Sequence, residues 1–97
     1  MHAVFVEVEM QQPVTEAFMA EAREGLSQTA VPRAREAGAS AAYWFGSLGA
    51  SEGHALIVFD DEASARKMVE QMPRVGEEGG SGATIRRIDV REVLTSL

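Results

Sequence analysis

Strict alternation opens the chain. Val4, Val6, Val8 and Met10 fall on one side of an extended segment, and Ala3, Phe5, Glu7 and Glu9 on the other, which predicts a strand over Ala3–Met10. Gln11, Gln12 and Pro13 interrupt it, and the period then lengthens. Phe18, Ala22, Leu26 and Ala30 recur at helical spacing, and Ala34 and Ala37 continue the row. Thr15 suits the N-cap and Glu16 the positive end of the helix dipole. Pro32 has no amide hydrogen, and Val31 before it is biased towards extended backbone, so a kink or short break is expected there. Helix should resume through Arg33-Ala34-Arg35-Glu36 and stop at Gly38.

Ala39 to Leu48 reads as a second strand, carrying Tyr43, Trp44 and Phe45, and Gly49 to Gly53 as a turn. His54–Phe59 is a short apolar run between turn signals, the third strand. Asp60, Asp61 and Glu62 precede a helix whose stripe is Ala65, Met68, Val69 and Met72, and Pro73 ends it. Gly76 to Gly82 reads as a loop, and Thr84–Leu94 as the last strand. The order β-α-β-β-α-β is a split βαβ arrangement: an α+β, ferredoxin-like fold with a four-stranded antiparallel sheet and two helices on one face. A single domain is expected over residues 1–97.

The third strand is apolar on both faces. Leu56 and Val58 point one way and Ala55, Ile57 and Phe59 the other, while the first strand adds Phe5 opposite its valines. Two helices cover one face only, and an antiparallel sheet wetted on its second face should read polar there. A second copy of the sheet is the expected cover, hence a homodimer. A small domain has reason to recruit one, since a chain of 97 residues buries only about 60–65% of the surface its unfolded form exposes.

Composition narrows the function classes. The 15 acidic and 9 basic residues give a net charge of −6, which argues against a nucleic-acid partner. No apolar run approaches a bilayer-spanning length. The opening Met1-His2-Ala3-Val4-Phe5 lacks the basic region of a signal peptide. Cysteine is absent, which removes disulfides and thiolate metal sites and fits a cytoplasmic setting.

Four side chains are candidates for a ligand pocket. His54 opens the third strand, where an imidazole serves as general acid or base near neutral pH; the plainer account is a half-solvated strand-end histidine. Tyr43 and Trp44 are adjacent in a strand and so face opposite ways. Either packs in core or interface, or one of them lines a pocket and stacks on a planar ligand. Arg86 is expected on the face of Ile88 and Val90, within reach of an anionic group, or else solvated or paired. Arg87 and Arg91 share a face with Asp89, which suggests an ion network, and Glu7 and Glu9 are further partners for these arginines. Two histidines without a close motif show no metal-binding spacing, so neither a metal nor a cofactor is expected. Gly79-Gly80-Ser81-Gly82 precedes a strand and has no lysine, unlike a phosphate loop.

The chain resembles the dimeric α+β barrel proteins, in particular the small bacterial members of the antibiotic-biosynthesis-monooxygenase-like set. The resemblance spans nearly the whole chain. It is carried by Met1-His2-Ala3-Val4-Phe5-Val6, Ala30-Val31-Pro32-Arg33, Ala42-Tyr43-Trp44, Ile57-Val58-Phe59-Asp60-Asp61-Glu62-Ala63 and Val90-Arg91-Glu92-Val93. It implies two sheets packed face to face in a homodimer, with a pocket in each subunit between sheet and helices. The implied function is binding of a small hydrophobic or aromatic metabolite, or its cofactor-independent oxidation. The alternative is a non-catalytic dimeric module, stress-related or ligand-sensing. Haem-degrading and quinone-forming relatives lean on an asparagine, and this chain contains none.

Overall fold

The computed structural model describes residues 1–79 and 82–97. Its elements are β1 (His2–Glu9), α1 (Glu16–Gln28), α2 (Ala30–Glu36), β2 (Ala41–Gly46), β3 (Glu52–Phe59), α3 (Glu62–Gln71) and β4 (Thr84–Glu92). The strands form one antiparallel sheet in the order β2-β3-β1-β4. This is the β-α-β-β-α-β topology the hydrophobic pattern predicts, with the first crossover divided into two helices. Gly80 and Ser81, within the expected glycine-rich loop, lie outside the described residues.

The division falls at Thr29, three residues before Pro32. A proline ring clashes with the carbonyl four residues back, here Gln28, so the ladder must yield before the proline. Thr29 takes φ −121° and ψ −64°, and its hydroxyl donates to the Gly25 carbonyl at 2.8 Å. Pro32 then sits in the first turn of α2, where a missing amide hydrogen costs nothing. Gly38 closes α2 at φ 89°. Its amide donates to Arg35 and that of Ala39 to Ala34, a Schellman closure that only a residue at ease in left-handed backbone accepts readily.

The strand ends differ by a few residues from the periodic pattern, and hydrogen bonds explain where they fall. Ala39 is taken up by the helix closure, so β2 begins at Ala41. Glu52 and Gly53 pair with Glu9 and Val8 and so join β3 instead of the turn. Gly53 is buried, and a Cβ there would come within 3.0 Å of the Met10 methyl and 3.3 Å of the Phe45 carbonyl, so a larger residue would fit only if these neighbours gave way by a few tenths of an ångström. β4 ends at Glu92 because Glu92 pairs with His2, where β1 begins.

One face of the sheet carries the core. Val4, Val6, Ala55, Ile57, Phe59 and Ile85 pack there with Ala34 of α2 and Ala65 of α3. The alanines let both helices approach closely. Helix α1 behaves differently: none of its residues is buried, and its apolar row is held off the sheet.

Candidate functional site

The space beneath α1 is a cleft of about 1320 Å³ between the sheet and the helices. Its floor is Val6 and Val8 of β1, Trp44 of β2, Ala55 and Ile57 of β3 and Ile85 of β4. Phe18, Met19, Ala22 and Leu26 of α1 form one wall, and Met68 of α3 with Met72 just after it the other. The helical row that the sequence shows is therefore the lining of a cleft. Charged side chains, Glu21, Arg23, Arg33, Glu36 and Lys67, border it where it meets solvent. The volume accommodates a drug-sized ligand, and an apolar lining with few polar groups is the usual character of such sites.

The sheet register separates the two adjacent aromatics. Trp44 pairs with Ala55 and faces the cleft. Tyr43 pairs with Leu56 on the opposite face, is 55% exposed, and stacks against Phe45 at 6.4 Å between ring centroids. His54 occupies β3 at the edge of the cleft, but its imidazole is turned to that opposite face. Nε2 lies 3.1 Å from Glu7 Oε1, and the ring is 5.7 Å from that of Phe5.

Arg86 departs from strict alternation. Glu7 pairs with Arg87 and Val8 with Ile85, so Arg86 is the extra residue of a β-bulge. The bulge lets Ile85 and Ile88, three residues apart, both pack on the core cluster. It carries Arg86 off the face of Ile88 and Val90 and into an ion pair with Glu9 at 3.4 Å. The four candidates are thus not brought together: Trp44 lines the cleft, His54 stands at its edge with its ring against Glu7 and Phe5, and Tyr43 and Arg86 lie away from it.

The open face of the sheet has its own order. Across one row stand Tyr43, Leu56, Phe5 and Asp89, and across the next Phe45, His54, Glu7 and Arg87. It grades from apolar at β2 to charged at β4. Asp89 accepts from Arg91 at 3.0 Å and lies 2.7 Å from Arg87. The Arg91 bond, followed by the nearby charge of Arg87, holds the Asp89 carboxyl below its ordinary range. Arg91 also sits 4.5 Å above the Phe5 ring, a cation–π contact. On the helix side, Asp61 caps α3 by accepting from the Ser64 amide at 2.7 Å, and that bond lowers its pKa. Arg66 does the same for Glu62.

One further grouping forms only in the folded chain. Glu7, Glu52 and His54 each bring a metal-ligating atom within 4.8 Å of the others. They are dispersed at positions 7, 52 and 54 and meet only through the β1–β3 pairing, so no spacing motif reveals them.

Comparison with known proteins finds no matching family model, no matching curated protein and no matching solved structure. Among the described residues, no helix is long and apolar enough to cross a membrane.

Proposed function

We propose that this protein is a homodimeric small-molecule-binding protein that holds an apolar or aromatic ligand in the cleft between sheet and helices, with Trp44 as the stacking surface. The observation that carries the reading is a helix whose apolar row lines an open volume and has no buried residue, over a sheet floor that includes the chain's one tryptophan. A ligand there would bury Phe18, Met19 and Leu26 together with Trp44, each large side chain contributing about 1.5–3 kcal/mol when fully covered. Dimerisation is supported by the apolar half of the open face, where Tyr43 and Phe45 are 55% and 53% exposed beside Leu56, Val58 and Phe5. The resemblance to dimeric α+β barrel proteins points to that mode of pairing, and also to oxidation of the ligand by dioxygen. With the His54 ring turned to the other face, binding is the better supported of the two activities.

A single tryptophan makes the test direct. Titration with polycyclic aromatic and quinol-like compounds should change Trp44 emission and raise the melting temperature, and Ala22→Phe, which fills the cleft, should abolish both responses. A broad panel producing neither response would overturn the binding reading. Oxygen uptake with the compounds that bind separates an enzyme from a carrier or sensor.

A further inference from the structure

We infer that Glu7, Glu52 and His54 form a site for a divalent transition-metal ion of the zinc class, on the sheet face opposite the cleft. The site does not depend on a ligand in the cleft, but it shares the open face with the proposed dimer, next to Phe45, at the polar side of that face. Antiparallel pairing sets Glu7 directly across from His54, and Glu52 precedes His54 by two residues, so all three side chains leave the same face. Glu7 and His54 are partly shielded, with side chains 27% and 30% exposed, and their facing atoms are 3.1 Å apart. All three donor atoms lie within 4.8 Å of one another.

One imidazole and two carboxylates make a nitrogen–oxygen donor set suited to borderline divalent ions. Ligands held tetrahedrally at about 2.0–2.2 Å from zinc stand about 3.4 Å from each other. The Glu7–His54 pair is already near that spacing. Glu52, exposed at the start of β3, needs to close by roughly 1.4 Å at most, by turning about its own side-chain bonds. Three protein ligands leave a fourth position for water or another small ligand.

The charges of this corner favour a cation. Glu9 stands directly across from Glu52, and like charges in that relation repel. Arg86 answers Glu9 at 3.4 Å. Arg87, the cross-strand partner of Glu7, is engaged with Asp89 at 2.7 Å instead. Among the described residues, no arginine or lysine reaches Glu7 or Glu52. An ordinary Glu–His hydrogen bond would account for Glu7 and His54 but gives the nearby Glu52 no role, whereas a divalent ion uses all three.

The test is titration of the full chain with Zn²⁺ by calorimetry and with Co²⁺ by visible absorption. One ion should bind per chain, and Glu52→Gln and His54→Ala should each weaken binding at least tenfold. Glu52 takes no part in the Glu7–His54 bond, so E52Q leaves the fold intact and isolates ligation from stability. His2→Ala is the control for the amino terminus and should bind as the wild type does. Absence of binding at millimolar Zn²⁺, wild-type affinity in either E52Q or H54A, or loss of binding in H2A would overturn the assignment.

Discussion

Tyr43→Lys is the most decisive perturbation of the proposed dimer. Tyr43 lies on the open face of β2, next to Phe45 and across from Leu56, and is 55% exposed in the single chain. An aromatic side chain presents roughly 200 Å² in all, so roughly 110 Å² of Tyr43 is left for a partner to cover. At about 25 cal/mol per Å² this is worth roughly 2.7 kcal/mol per protomer. A two-fold interface uses the residue twice, which brings the loss to about 5 kcal/mol. Even if the lysine stem recovers a third of it, the dissociation constant should rise by at least two orders of magnitude. Sedimentation velocity over a concentration series reads this directly, and far-UV circular dichroism confirms that the variant stays folded. Gln28→Lys, the same change of charge on exposed α1, should leave association unchanged. A wild type that is monomeric at micromolar concentration, or a Tyr43→Lys variant that associates as tightly as the wild type, would refute the proposed dimer.

The remaining expectations concern the scaffold. Phe59 is fully buried in the core at the end of β3, and Phe59→Ala should cost about 3–5 kcal/mol in urea unfolding; a loss below about 1 kcal/mol would mean the site collapses around the gap. Gly38→Val forces a β-branched residue to φ 89° and should lower stability by about 1–2 kcal/mol, with no change expected from the same substitution at exposed Gly25 beyond its helix propensity. Asp61, Glu62 and Asp89 have folded-state pKa values below their ordinary ones. Their contribution is therefore present above the unfolded carboxylate range, about pH 4, and is lost as pH falls below it through the folded values. Melting temperature should drop over that acid range, and the drop should be shallower in the Asp61→Asn, Asp89→Asn double variant; an unchanged acid limb would refute the linkage.

Much of the fold is legible because secondary structure is a local matter of period. Alternation in Val4, Val6 and Val8 and the four-residue row of Phe18, Ala22 and Leu26 identify a strand and a helix without any knowledge of what they touch. The apolar character of both faces of β3 is equally visible, since it depends only on the identities of residues 54 to 59. Proline chemistry announces a break in the first crossover. Its position at Thr29 follows from the reach of the Pro32 ring back to the preceding turn.

The site was less legible, because facing and distance belong to pairing between strands. Adjacency requires that Tyr43 and Trp44 oppose one another, but only the Trp44–Ala55 pairing turns the indole to the cleft. Arg86 reads as a core-face residue under unbroken alternation, and one bulged position moves it to Glu9. The helical row of α1 looks like core in sequence and proves to be the wall of a cleft, because helix packing distance is decided by what the rest of the chain supplies beneath it. The amino-acid sequence by itself determined the elements, their order and their apolar faces, all set by backbone period and side-chain identity. Only the tertiary structure decided that Trp44 lines the cleft, that His54 turns away from it, and that Glu7, Glu52 and His54 converge, since register and loop closure join residues that are remote along the chain.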